Sequence, residues 1–352
     1  IPPVEGNEPR YLIGLVEDIT ERREIEERMA HIAMHDSLTG LPNRAYFAHH
    51  VESLLKKGGD SEPFALFYLD IDHFKNINDN IGHQAGDQLL QEVARRLKQI
   101  TTSDEFIARL GGDEFAIVYR SGTLAQIAMF ADRILSAFQD PFELVRNSEF
   151  VACSMGIAQA PLHGDNPDVL MRNADLALYA SKSGGRRTFR FYQHSLRLAA
   201  EKRYVMTGEL RQALLDEQFE LHYQPIFNLE SGKISGFEAL IRWRHPDRGM
   251  VSPAEFIPLA EETGLIGPIG DWVLRTACRE AVLWPEDIKV SVNLSPVQFS
   301  QTTLLNSVTD ALEAARLSPD RLELEITESV FLSNSKNNIE LLSELRRLGV
   351  RI

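Results

Sequence analysis

Apolar positions along the chain fall into two rhythms, each with its own element. Residues 64–70 (FALFYLD) form a nearly unbroken apolar run that ends in a carboxylate, the pattern of a strand buried on both faces. Residues 84–100 place Leu89, Leu90, Val93 and Leu97 on one helical face. FIARL and AIVYR flank Gly111-Gly112, which predicts two strands around a tight turn over 106–120. A second long helix is predicted over 123–138, a strand over 150–160, and a helix over 166–185 that Gly184 and Gly185 stop. Helices and antiparallel strands mixed in this way predict an α/β (α+β) unit whose central, mostly antiparallel sheet is flanked by helices.

Downstream, residues 193–216 read as a helix that leads into a second unit. Strands LHYQPIF, ISGFEALIRW, IKVSVNL and RLELEIT then alternate with helices around 253–284 and 301–316. That is the β-then-α rhythm of a barrel or a doubly wound sheet, and the last residues read as the inside of a further strand. Upstream, 11–20 reads as a short strand and 20–34 as a charged helix. Ile25, Met29 and Ile32 recur there at 4-3 spacing, the seam of a short coiled coil. A single amphipathic helix lying on its own domain is the alternative.

Composition sharpens this picture. Hydrophobic residues make up 43% and charged residues 25% of 352 positions, the range of a soluble globular chain. At about 150 residues per domain, two domains are expected. No run reaches the length of a membrane-spanning helix, and nothing after Ile1 resembles a targeting signal. The chain reads as a piece of something longer, expected in the cytoplasm, with any membrane contact made by parts outside it. The balance of 37 basic against 51 acidic residues, net −14, argues against a nucleic-acid polymer as partner. Nucleotides remain accessible to such a chain if metal ions stand between carboxylates and phosphates. Cys153 and Cys278 are the only cysteines, too far apart for a zinc or disulfide framework.

Two constellations carry candidate chemistry. Asp70 and Asp72 sit where the buried strand should meet solvent, and Asp113 and Glu114 follow the Gly-Gly turn. If those strands are neighbours, the carboxylates converge on a site suited to Mg2+ and phosphate oxygens. Singly, each is an ordinary strand-end residue. In the second unit Glu238, Asn293, Glu325 and Glu328 lie at or beside successive strand ends, where a barrel holds its active site.

DSLTGLPNR (36–44), LDIDHFKNINDNIGHQAGD (69–87), RLGGDEF (109–115) and ADLALYASKSGGR (174–186) occur in order and at compatible spacing. Together they resemble the GGDEF family of diguanylate cyclases. The resemblance implies that two GTP molecules condense to cyclic di-GMP with loss of two pyrophosphates, on a homodimer. It implies Mg2+, with Mn2+ as an alternative, on Asp70, the Ile71 carbonyl and Asp113. Asn78 and Asp87 would read guanine, with His83 closing that pocket. Phe74, Lys75, Lys182 and Arg186 would bind the triphosphate, and Glu114 would accept the proton of the attacking hydroxyl. One departure stands out. The family's Arg-x-x-Asp product-binding motif falls on Thr102 and Glu105 here, so product inhibition through that motif is not expected.

YQP, EALIRWRHP, FIPLAEETGLI, NLSPVQF and EITES resemble the EAL family of cyclic di-GMP phosphodiesterases. This implies Glu238, Asn293 and Glu325 as metal ligands, Gln224, Glu238 and Arg242 as cyclic di-GMP contacts, and Glu328 as support for a loop. The family's Asp-Asp pair and catalytic lysine do not occur before Ile352, so this part is expected to be incomplete and, alone, unable to hydrolyse cyclic di-GMP. GLVEDITERREIEE (14–27) resembles the end of a PAS sensor running into its signalling helix. The expected organisation is a PAS-like end at 1–19, signalling helix at 20–35, GGDEF domain at 36–192, helical linker at 193–207 and EAL domain from 208. The leading expectation is GTP cyclisation. The alternatives are a phosphodiesterase whose GGDEF domain is a GTP-binding regulator, or a non-catalytic nucleotide-sensing dimerisation module.

Overall fold

A computed structural model describes residues 17–18, 20–21, 29, 32–56, 63–120, 123–144, 148–299, 303–327 and 336–352. The strand expected at 11–20, most of the helix expected at 20–34, Ile25 and Glu328 lie outside the described residues. Met29 and Ile32, the other two seam positions, are each 66% exposed. The chain divides into Ile1–Leu198 and Ala199–Ile352.

The first unit is organised by β1 (Phe64–Ile71), whose residues are buried save for the half-buried Asp70. It lies between β3 (Glu114–Tyr119) and β6 (Cys153–Ala160), antiparallel to both. β2 (Phe106–Gly111) extends the sheet beyond β3, and β7 (Phe189–Phe191) runs parallel to β6 at the other edge. Alternation along β1 sends Ala65, Phe67, Leu69 and Ile71 into one core and Phe64, Leu66 and Tyr68 into another. Helices α1 (Arg44–Lys56) and α5 (Pro167–Ser183) cover the second face with Phe47, Val51, Leu170, Ala174 and Leu178. The first face is covered by α3 (His83–Ile100), through the four leucine and valine positions singled out above, and by α4 (Leu124–Ser136). Two covered faces explain why β1 needs a continuous apolar run.

Two elements go beyond the hydropathy pattern. The short α2 (Phe74–Ile81) follows β1 directly, and β4 (Phe142–Glu143) pairs with β5 (Ser148–Glu149) in a small hairpin. The strand expected from residue 150 begins at Cys153.

Helix α6 (His194–Leu215) runs across the division between the units. In the second unit β8 (Phe219–Phe227) is antiparallel to β9 (Ile234–His245), which β10 (Gly249–Val251) borders. β9, β11 (Lys289–Leu294) and β12 (Leu322–Ile326) are mutually parallel neighbours in an open sheet. Arg351 bridges Glu323 in the parallel sense, beside β12. The helices expected around 253–284 are α7 (Pro253–Thr263) and α8 (Ile266–Ala281), divided where Gly264 turns the chain with φ 74°. The helix expected at 301–316 is α10 (Leu304–Ala315), preceded by the four-residue α9 (Pro296–Phe299). Lys336–Arg347 forms α11. Arg321 is buried and donates to the carbonyls of Ala281, Pro285 and Ile288, satisfying the loop between α8 and β11. Among the described residues no helix is long and apolar enough to cross a membrane.

Candidate functional site

The pairing of β1 with β3 sets Asp70 opposite Glu114. Asp113 precedes Glu114 in a turn where Gly111 and Gly112 take φ of 143° and 51°, values that side chains avoid. The convergence expected from the sequence is therefore present. Lys182, from the last turn of α5, reaches across with Nζ 2.6 Å from Asp70 Oδ1. Burial pushes the Asp70 carboxyl up to about 6; the Lys182 contact opposes this and the Asp113 charge adds to it. Burial also raises Asp113, against the pull of its own backbone hydrogen bond and Lys182. Two half-dried carboxylates with one ammonium between them fit a divalent cation, which would relieve both repulsions. Among the described residues no three His, Cys, Asp or Glu side chains are grouped so as to hold a metal ion by themselves. A cation here would complete its shell with a backbone carbonyl, phosphate oxygens or water.

Glu114 is flanked on two sides. Arg44 Nη2 stands 3.4 Å from its carboxylate, and the Tyr68 hydroxyl lies close enough to feel its charge. Burial and this neighbouring carboxylate raise the Tyr68 hydroxyl. Asp175 on α5 is also raised, first by burial and then by Glu114. The turn itself is clamped by Arg109, which donates to both Asp36 carboxylate oxygens (2.9 and 3.0 Å) and to the Gly112 carbonyl (2.7 Å). Burial works against the Asp36 charge, yet hydrogen bonds from Thr39 and Arg109 hold it below the usual carboxylate range. This gives the 36–44 motif a physical role as the buttress of the Gly-Gly turn.

Asn78, inside α2, faces Gly86 on α3, beside Asp87. A Cβ on Gly86 would lie 2.0 Å from Asn78 Oδ1, and that oxygen is buried without a hydrogen-bond partner. Asp87 and His83 are exposed. The Phe74 ring packs on the core, so only its backbone is free for a ligand, while Lys75 is exposed. Asp72 differs from expectation. It is 6% exposed rather than at solvent, because the segment after α5 folds over it. A cleft of about 550 Å³ is lined by Asp72, His73, Asn76, Glu149, Arg186 and Arg187 among others. At the departed motif, the Thr102 N–H and Oγ–H both donate to Glu105 (2.6 and 2.7 Å), so the two positions satisfy each other.

In the second unit the parallel register sets Ser291 beside Glu238 and Asn293 beside Glu325, and Gln224 of β8 lies opposite Glu238. Asn293 Nδ2 donates to Glu238 Oε1 at 2.7 Å. Burial raises the Glu325 carboxyl, and the Glu238 charge adds to it. Glu238, Asn293 and Glu325 are thus brought together on three neighbouring strands; Asn293 and Glu325 stand near strand ends, whereas Glu238, expected at one, lies inside β9, which runs on to His245. Arg242 and Asn293 line a cavity of about 310 Å³ with Glu261, Ser295, Gln298 and Thr327. Glu261, which accepts a 2.7 Å hydrogen bond from Ser295 Oγ, was not singled out from the sequence. Its place in the quoted FIPLAEETGLI stretch is the one signal that points to it.

The family described as diguanylate cyclase, GGDEF domain, matches residues 33–188, and the EAL domain family matches 207–352. A bifunctional diguanylate cyclase/cyclic di-GMP phosphodiesterase, MucR of Pseudomonas aeruginosa, is 39% identical over 91% of this chain and 48% of its own. The cyclic di-GMP phosphodiesterase NbdA of the same organism is 39% identical over 91% of this chain and 42% of its own. The S helix–GGDEF–EAL structure of Vibrio cholerae LapD shares the fold, with a TM-score of 0.63 at 18% identity over 94% of this chain and 78% of that one. The chain spans about half the length, or less, of the curated relatives it matches.

Proposed function

Because the chain belongs to the GGDEF–EAL family, we propose that it takes part in cyclic di-GMP turnover and that its N-terminal site condenses two GTP molecules. The observation that carries this is the convergence of Asp70 and Asp113 with Lys182 Nζ 2.6 Å from Asp70. Asp70, the Ile71 carbonyl and Asp113 would hold Mg2+ or Mn2+, which neutralises phosphate charge when bound. Lys182 and Arg186 would then face the triphosphate, with the N-terminal backbone of α2 beside them. Asn78, with its unpaired buried oxygen, and Asp87 would read the base edge. Each 3′-hydroxyl oxygen attacks the α-phosphorus of the other GTP, and the bond to the bridging oxygen breaks. Pyrophosphate leaves, and Glu114, with Arg44 and Tyr68 beside it, accepts the hydroxyl proton. With one such site per chain, two chains must meet.

A second reading concerns the Glu238, Asn293 and Glu325 cluster, which would bind cyclic di-GMP and, within a longer protein, hydrolyse it to pGpG. The first unit would then be its GTP-binding regulator. Incubation with GTP and Mg2+, and separately with cyclic di-GMP, while both nucleotides and pyrophosphate are followed, separates the readings. Cyclic di-GMP formed with a matching release of pyrophosphate supports the first. GTP bound but left intact would sink it.

A further inference from the structure

Arg186 is carried by a turn that would not hold itself. Gly185, Arg186 and Arg187 take φ of 115°, 62° and 53°, a region that residues with side chains avoid. A run of this kind persists only where its surroundings fix it. One end is tied to α5 and the sheet: Arg186 N–H donates to the Ser181 carbonyl (3.2 Å), Ser181 Oγ to the Thr188 carbonyl (2.7 Å), and Met155 N–H to the same carbonyl (3.0 Å). The middle is tied by Asp72. Its carboxylate is 3% exposed, its Oδ1 accepts from Ser154 Oγ at 2.8 Å, and its Oδ2 accepts from the Arg187 N–H at 3.2 Å. Arg186 Nε stands 4.0 Å from Oδ1. The Asp72 N–H is itself fixed to the Ala152 carbonyl at 2.9 Å, so the anchor cannot drift. Both carboxylate oxygens are engaged by the protein, whereas among the described residues Asp70 has one oxygen paired, with Lys182.

We propose that Asp72 is a positioning residue. It holds the Arg186–Arg187 turn so that Arg186 meets the distal phosphates of GTP, and it works through hydrogen bonds rather than as a metal ligand. This rests on the reading of the N-terminal site as a GTP site.

The full chain tests it. Asp72→Ala leaves Ser154 Oγ–H and Arg187 N–H without their acceptor. The Kd for the α,β-methylene analogue of GTP, which cannot lose pyrophosphate, should rise about tenfold in the presence of Mg2+. GMP, which lacks the distal phosphates, should change less than about twofold. Asp72→Asn can accept from Arg187 through its oxygen and donate to Ser154, so it should recover most of the lost affinity. Should Asp72→Ala not fold, Ser154→Ala loosens the same carboxylate more gently and should shift the two ligands in the same unequal ratio. Amide exchange over 184–188, read without nucleotide, should quicken in Asp72→Ala and slow again in Asp72→Asn. Unchanged analogue affinity in Asp72→Ala, or equal weakening of GMP and analogue, would overturn the proposal. So would an Asp72→Asn variant as impaired as Asp72→Ala, since an amide does not replace a metal ligand. A wild-type chain that fails to bind the analogue would overturn the GTP reading and the phosphate half of this inference, while the exchange rates would still decide whether Asp72 holds the turn.

Discussion

A carboxylate stripped of part of its water must find a charge to face, and Asp70 and Asp113 share a single ammonium. If their business is to hold a cation against a triphosphate, Asp113→Asn keeps the volume and removes the charge. Cyclic di-GMP formation should fall by at least about a hundredfold, more than the loss of outer support usually costs. Circular dichroism and melting should show the fold intact, and product formation at the wild-type rate would remove Asp113 from the site. His163 offers a separate test, of pH. Burial holds its ring below the ordinary histidine value of 6.5, and Nδ1 accepts the Gln159 N–H at 3.0 Å, which demands the neutral form. The unfolded chain takes up a proton that the folded ring resists. Stability should therefore be full above pH 6.5 and fall as pH drops below it, by no more than one proton allows. Melting of His163→Gln between about pH 7 and 5 should lack that share of the slope. Asp70 and Asp113 are legible in the sequence as strand-end and turn carboxylates, whereas Lys182 and Asn78 stand out only through the family resemblance. Asp72 was misread as solvent-facing, since no local pattern tells that residues far along the chain fold back over it.

At the scale of elements, the sheet is legible wherever apolar runs are long, and it blurs where elements are short or polar. β1 and α3 announce themselves through residues that pack on one core. α2, of sequence FKNINDNI, has only three apolar positions and follows an unusual left-handed residue, His73, so hydropathy passes over it. Apolar residues continue across Gly264, so hydropathy alone does not mark the boundary between α7 and α8. Close packing between elements is equally hidden. Gly156 on β6 lies under α5, and a Cβ there would fall 1.9 Å from the Ala174 carbonyl oxygen and 2.2 Å from the Leu178 nitrogen. Backbone cannot yield as a side chain can. Gly156→Ala should therefore cost about 2–3 kcal/mol, read from the urea midpoint of the first unit. A variant as stable as wild type would mean that α5 slides freely on the sheet.

For the molecule as a whole, the proposed single GTP site per chain would make catalysis a matter of encounter. Initial rate per chain should rise with chain concentration, about in proportion until dimers saturate, and a tenfold dilution should expose this. A rate per chain indifferent to dilution would place both GTP molecules on one chain. The same architecture also governs how the site comes into being. Asp70 is fixed only once β1 has found both β3 and β6, and Lys182 and Arg186 arrive from α5 and the turn after it, later still in sequence. Such pairings close long loops, and contacts of that kind form late on the route from the unfolded chain. A ribosome-bound chain released before α5 therefore has a metal-side half without its cationic half. The proposed nucleotide site would thus be complete only once α5 has packed on the sheet and carried the turn after it into place.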